Sequence, residues 1–241
     1  MSLARTLLLA SLAAGALVEG RRAAVAQNFW PFPGALPWAR PPQYGAPAPL
    51  APPPPGAHAA LLPPGARAAV LPPDADPAYS TPIDLDDEVD MEQTTRRLVE
   101  DPTREPPGTI TINTKSRKLY LSLNDGQALE YGIGVGRQGF AWKGIAEVGR
   151  KAFWPGWTPP PEMLARQPGL PRHMDGSVEN PLGARALYLF EGTKDTLFRI
   201  HGTSEPETIG HAVSSGCIRM LNADVIDLYR RVAKGTRVVV L

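Results

Sequence analysis

The sequence predicts a mostly β domain with one principal helix, preceded by a long proline-rich segment, and three observations carry this. Twenty of the 28 prolines fall between Pro31 and Pro107, whereas only eight are spread over the 134 residues from Gly108 onward. Within that second stretch apolar and polar residues alternate with period two, the signature of half-buried strands. A helical stripe with recognisable start and stop signals occurs there once, from Asn222 to Gly235.

The N-terminus reads as a secretory signal peptide over residues 1–26. Arg5 precedes an uncharged Leu/Ala-rich run from Thr6 to Val18, and Ala24-Val25-Ala26 supplies an A-x-A cleavage pattern. That apolar run of 13 residues is shorter than the roughly 20 that a transmembrane helix needs, and Glu19, Arg21 and Arg22 end it. An uncleaved N-terminal anchor is the alternative. No cysteine lies near the cut, so lipid attachment there is excluded. The expected location is the periplasm or cell envelope, with no stable membrane insertion after cleavage.

Residues 27–107 read as a largely disordered Pro/Ala-rich linker. Runs such as Pro52-Pro53-Pro54-Pro55 favour extended polyproline II, a semi-rigid spacer. A short helix is expected over 86–100, where Val89, Met91, Leu98 and Val99 punctuate polar residues before Pro102 stops it. From 108 to 241 the chain is long enough to bury one core without staples. Thr109–Ile112 and Lys118–Leu123 alternate and should pair as a hairpin; Asn124-Asp125-Gly126 is a turn signal. A third strand is expected over Ala128–Val135, with glycines at 132, 134 and 136 for close backbone approach. Further strands are expected at Ala186–Phe190, Leu197–Ile200 and Arg237–Leu241. The helix takes Asn222 as N-cap, Asp224 in its first turn, and Val225, Ile226, Leu228, Tyr229 and Val232 on its buried face.

Removing residues 1–26 leaves 22 basic against 23 acidic side chains. Such a balance gives no electrostatic drive toward a polyanion, which argues against nucleic acid as a partner. The single cysteine, Cys217, rules out an intramolecular disulfide. His and Cys are not clustered at metal-ligand spacing, so neither a metal nor a cofactor is expected.

The chemistry concentrates between His201 and Cys217, within 17 residues. A thiol becomes a strong nucleophile once deprotonated, and a histidine can deprotonate it. The small residues Ser214-Ser215-Gly216 before the cysteine leave backbone N–H groups for an oxyanion. A lone cysteine is more often a buried apolar residue, but an exported thiol that is neither paired nor hidden is uncommon unless reactive. His201 closes a strand whose Phe198 and Ile200 face the core, a rigid position for an imidazole. His211 and His173 lie in polar or proline-bounded loops and His58 in the linker.

These residues resemble the L,D-transpeptidases with a YkuD-type catalytic domain. The matching elements are His201-Gly202-Thr203, Ile209-Gly210, Ser214-Ser215-Gly216-Cys217-Ile218-Arg219-Met220 and Asn222-x-Asp224-Val225, with Asn180-Pro181-Leu182-Gly183 and Gly235-Thr236-x-Val238 alongside. The resemblance covers about residues 108–241. Many members carry histidine where this chain has Ser215. The resemblance implies a β-rich, sandwich- or barrel-like catalytic fold and a cysteine-dependent acyl transfer on peptidoglycan stem peptides, which serve as donor and acceptor.

In that scheme Cys217 is the nucleophile and His201, which either deprotonates it or holds it as an ion pair, the general base and later acid, with a backbone carbonyl near Gly202 orienting the imidazole. Backbone N–H groups of Ser215, Gly216 and Cys217 form the oxyanion hole. Arg219, Gly202, Ser214 and Trp157 are candidate substrate contacts. Arg219 suits a substrate carboxylate, with a brace of the motif as the alternative, and Trp157 suits a lid, with cover for the core edge as the alternative. Other acceptors would make the enzyme a peptidase, a D-amino-acid exchanger or an anchor for an outer-membrane protein. A non-catalytic peptidoglycan-binding module is the reading from a different class.

Overall fold

Ile110–Asn113 and Lys118–Ser122 form the expected hairpin, with Ile110 facing Leu121 and Ile112 facing Leu119 across it. The surrounding architecture comes from a computed structural model that describes residues 67–137, 142–214 and 216–241. The expected signal peptide, the linker up to residue 66 and Ser215 lie outside the described residues.

In chain order the strands are β1 (Arg67–Ala68), β2 (Ile83–Asp84), β3 (Arg97–Glu100), β4 (Ile110–Asn113), β5 (Lys118–Ser122), β6 (Gln127–Gly132), β7 (Val135–Gly136) and β8 (Gly144–Phe153). The short helix α1 (Pro161–Arg166) follows. Then come β9 (Arg185–Glu191), β10 (Lys194–His201), β11 (Ala212–Ser214), β12 (Ile218–Arg219), α2 (Asn222–Arg231) and β13 (Arg237–Val240). Nine strands form one sheet in the order β12-β10-β9-β8-β13-β4-β5-β6-β3. Only the β12/β10 and β13/β4 pairs in it are parallel. Just past β6, Gly134 exchanges both backbone hydrogen bonds with Arg219 of β12, each 2.9 Å long. Since β6 and β12 lie toward opposite ends of the strand order, these bonds curl the sheet toward closure. Its concave side holds Ile112, Leu119, Tyr131, Leu187, Ile200 and Ile218 in one buried cluster, which Val225 and Leu228 of α2 complete.

The expected helix over 86–100 is replaced by a single 3-10 turn at Asp86–Glu88 and by strand β3, paired to β6. Local side chains explain the outcome. The Glu92 N–H donates to Asp90 Oδ1 and the Arg96 N–H to Thr94 Oγ1, turns that compete with helical hydrogen bonding. Thr94 and Thr95 are in addition held by the buried Asp224 carboxylate of α2. Asn222 is the first residue of α2 rather than its N-cap, and its side chain serves elsewhere.

Residues 67–107 are also more structured than a linker. Ala75, Ile83 and Leu85 are buried with Phe153, Trp154, Ala184 and Ile226. The Asp86 carboxylate takes two hydrogen bonds from Arg185, at 2.8 and 2.6 Å, and one from Trp154 Nε1. Arg185 is only 3% exposed and its guanidinium lies 4.0 Å over the Phe153 ring. Removing one partner of a buried ion pair leaves an uncompensated charge, which costs about 3–5 kcal/mol. Asp86→Ala should therefore lower the unfolding free energy by about that much, read as a shift of the urea midpoint at unchanged slope.

Candidate active site

His201 ends β10 and Cys217 immediately precedes β12, and the parallel pairing of these strands sets Ile200 beside Ile218 and His201 beside Arg219. The ladder is extended by the Met220 N–H, which donates to the His201 carbonyl at 2.8 Å. His201 and Cys217 thus come to the ends of adjacent strands, Cys217 two positions before the residue level with His201. His201 is 5% exposed, whereas Cys217 is half-buried.

The imidazole has one resolvable tautomer. Its Nδ1 lies 2.6 Å from the Gly202 carbonyl oxygen, which can only accept, so Nδ1 carries the hydrogen and Nε2 keeps its lone pair. Burial, reinforced by the positive charge of Arg219, depresses the His201 pKa to about 4. The ring is therefore neutral at pH 7. Burial pushes the Cys217 thiol above its ordinary value, against the opposing charge and backbone N–H of Arg199. Both shifts favour a neutral thiol beside a neutral imidazole. The thiol faces the Leu197 carbonyl at 4.0 Å. Leu197 sits in a bulge of β10 with a left-handed φ of 64°, and Asp195 closes the bulge by accepting from the Leu197 N–H and from both Nη atoms of Arg199.

The turn before the cysteine is internally bonded. Ser214 is 4% exposed; its Oγ donates to the Cys217 carbonyl at 2.7 Å and accepts from the Gly216 N–H at 3.1 Å. Ser214 thus braces the turn, and the Gly216 N–H expected in the oxyanion hole is engaged by its hydroxyl. Gly202 is buried next to His201, its N–H bonded to the Arg185 carbonyl. Arg219 pairs through Nη1 with Glu205 at 2.6 Å and reaches Thr208. The guanidinium therefore braces the loop between His201 and the cysteine.

Trp157 is half-buried and bridges to Met174, in a loop held by Asn180, whose amide donates to the carbonyls of Pro155, Met174 and Asp175. Its neighbour Trp154 is fully buried. The rings that line the small cleft beside Gly216 and Ile218 are instead Trp142 and Phe198, stacked with centroids 5.6 Å apart. Neither ring stood out in the sequence, because Trp142 precedes β8 and Phe198 reads as an ordinary core residue. Among the described residues no group of three or more His, Cys, Asp and Glu side chains is placed to hold a metal ion, and no helix is long and apolar enough to cross a membrane.

The ErfK/SrfK protein of Escherichia coli K12, described as a probable L,D-transpeptidase, is 35% identical over 141 residues, covering 55% of this chain and 43% of that protein. YbiS of the same organism, with the same description, is 36% identical over 138 residues, covering 54% and 43%. The matched region thus spans about two-fifths of the length of these curated relatives. Among solved structures, a Brucella melitensis chain described as a probable carnitine operon oxidoreductase is 49% identical, covering 62% of this chain and 94% of that one, with a TM-score of 0.42. An L,D-transpeptidase from Mycobacterium smegmatis is 17% identical, covering 55% and 58%, with a TM-score of 0.40. Residues 107–240 match the family model described as YkuD, L,D-transpeptidase catalytic domain, and on that match, which takes in more than half its length, this chain belongs to the YkuD family.

Proposed function

We propose that this protein is an exported L,D-transpeptidase that cross-links peptidoglycan stem peptides through a thioester on Cys217. The observation that carries the reading is the His201 Nδ1–Gly202 carbonyl hydrogen bond, which leaves Nε2 as an acceptor on the strand beside the thiol. Both protonation shifts put the resting pair in its neutral form, so His201 acts as a general base and not as half of a preformed ion pair. As the donor stem peptide binds, Nε2 takes the thiol proton and the sulfur attacks the carbonyl carbon of the diamino-acid residue. The Cys217 N–H meets the developing oxyanion; the Gly216 N–H joins it only by leaving Ser214. The carbon–nitrogen bond then breaks, His201 returns the proton to the departing D-alanine amine, and a thioester remains. A side-chain amine of a second stem peptide attacks that thioester, His201 accepts its proton, and the carbon–sulfur bond breaks to restore the thiol. A thiol of raised pKa keeps its proton until Nε2 takes it. Arg219 keeps its loop in place, and its positive charge adds to burial in keeping His201 unprotonated until the thiol proton is transferred. The exported location rests on the reading of residues 1–26.

Incubation with a carbapenem followed by intact-mass measurement tests the nucleophile. The wild-type protein should gain one adduct and Cys217→Ala none; an unmodified wild type, or an undiminished adduct on the variant, overturns the assignment and favours a binding module. Muropeptide analysis of the purified enzyme's products should then show cross-linked dimers, and a product shortened by one residue without dimers would name water as the acceptor.

The neutral resting pair has its own signature. Alkylation of Cys217 by iodoacetamide should rise steadily with pH through the upper alkaline range. A plateau already reached at pH 6 would show an ion pair instead.

The depressed His201 pKa also makes stability depend on pH. Between the unfolded value of 6.5 and the folded value of about 4, the unfolded chain binds the extra proton. The stabilisation is therefore fully present above pH 6.5 and is lost as the pH falls toward 4, amounting to about 3 kcal/mol. Denaturant titrations of His201→Gln should show the decline between pH 6.5 and 4 reduced by that amount relative to wild type.

A further inference from the structure

The Gly202 carbonyl that orients His201 belongs to the Gly202–Thr203 peptide unit, and the opposite edge of the same unit is held by a side chain of α2. The Thr203 N–H donates to Asn222 Oδ1 at 3.2 Å, and Asn222 Nδ2 donates to the Thr203 carbonyl at 3.1 Å. Asn222 Oδ1 also accepts from the Ala184 N–H at 3.0 Å. One amide therefore joins the start of α2, the turn after β10 and the turn before β9. The fit requires two glycines. A Cβ on Gly202 or on Gly183 would lie 2.2 Å from Asn222 Oδ1, and Gly183 has a φ of +61° as well.

We propose that Asn222 is a positioning residue for His201, acting through the Gly202–Thr203 peptide unit. A peptide unit is planar, so holding its N–H fixes the direction of its carbonyl. An N–H that donates also polarises the carbonyl of its own amide, strengthening it as an acceptor. The chain of contacts runs from His201 Nδ1 to the Gly202 oxygen, across the amide, and from the Thr203 N–H to Asn222 Oδ1. Without Asn222 the peptide can rotate, the Nδ1 bond weakens, and the imidazole loses both its tautomer and its fixed orientation. This accounts for an asparagine at the first position of a helix whose N-cap, Leu221, makes no side-chain capping bond. Asn222 bonds away from the helix because its partners lie behind the histidine.

This inference rests on the acyl-enzyme reading above, and its test separates the two. Carbapenem acylation is followed as a function of drug concentration and pH in wild type, Asn222→Ala and Asn222→Asp, alongside iodoacetamide alkylation and thermal unfolding. Asn222→Ala removes the acceptor and should lower the maximal acylation rate about tenfold to hundredfold, part of what general base catalysis contributes. Its half-saturating concentration should be unchanged and its alkylation rate within about twofold of wild type, since direct alkylation needs no proton acceptor. Asn222→Asp keeps an acceptor for both N–H groups but sets a carboxylate oxygen where the donor to the Thr203 carbonyl was. It should recover part of the acylation rate lost in Asn222→Ala and move the acid limb of the profile upward, because an anion at the end of the relay favours imidazolium. Wild-type acylation by Asn222→Ala, or a loss that tracks its unfolded fraction, overturns the proposal. Should Asn222→Ala fail to fold, Asn222→Asp decides alone: an unmoved acid limb overturns the relay and a raised one supports it. A wild type that forms no adduct defeats the acyl-enzyme reading itself.

Discussion

The site depends on a strand of two residues. Ile218 and Arg219 pair in parallel with the end of β10 on one side, and Arg219 exchanges two hydrogen bonds with Gly134 on the other. That double grip brings Cys217 next to the strand bearing His201 and curls the sheet on itself. A Cβ on Gly134 would meet the Thr208 carbonyl at 2.9 Å, so the approach needs a residue without a side chain. The loop from Gly202 to Ser214 is consequently held at both ends and in its middle, where Arg219 reaches back to Glu205. The placement of His201 and Cys217 comes from strand register, which is more rigid than a loop could supply.

The electrostatics follow from the same packing. Burial acts on both members of the pair, raising the thiol and lowering the imidazole. Arg199 and Arg219 then act in one direction on charge sign: they favour an anion on the sulfur and disfavour a cation on the ring. Such a field resists a resting thiolate–imidazolium pair, since the gain at sulfur is offset at the ring. In the proposed reaction it favours the negative charge that develops during attack and the return of the proton to the leaving amine. Asp195 and Glu205 each pair one of these arginines, which keeps the field modest in the free protein.

Much of this was legible in the sequence because period-two alternation and the His201–Cys217 spacing are local signals. The hairpin of β4 and β5, the strands β9, β10 and β13, and the buried face of α2 all follow from such patterns. What escaped has a non-local cause. The ten-residue strand β8 carries a bulge at Gly149, where a Cβ would strike the Phe190 ring at 2.4 Å, and its Lys151 is 3% exposed. The amine of Lys151 is buried because it donates to the Tyr229 and Val232 carbonyls at the end of α2, partners some eighty residues away. The bulge breaks the alternation and the lysine reads as solvent-facing, so the strand leaves no pattern. Asn222 departs from its expected capping role for a similar reason: asparagine at a helix start is the standard capping signal, and only the fold shows that its amide faces the Gly202–Thr203 peptide.

The proline-rich composition before residue 108 hid a second dependence. Proline at 72, 73, 77 and 82 excludes helix and central strand but allows an extended segment that lies along a surface. Aspartates interspersed among those prolines settle where it lies: Asp74 bonds Lys151, Asp76 pairs with Arg150 at 3.0 Å, and Asp86 takes Arg185. Each partner is supplied by β8 or β9, at the centre of the sheet. Arg185 carries the argument furthest, because a guanidinium that is 3% exposed cannot be left without a carboxylate, and the carboxylate comes from outside residues 107–240. The same segment bonds Thr81 to the Phe153 and Trp154 carbonyls and to the Gly176 N–H, adjoining the loop that ends at Gly183 against Asn222. The folded unit therefore begins well before the composition changes, and the support behind His201 continues through Ala184 into a segment whose sequence reads as a spacer.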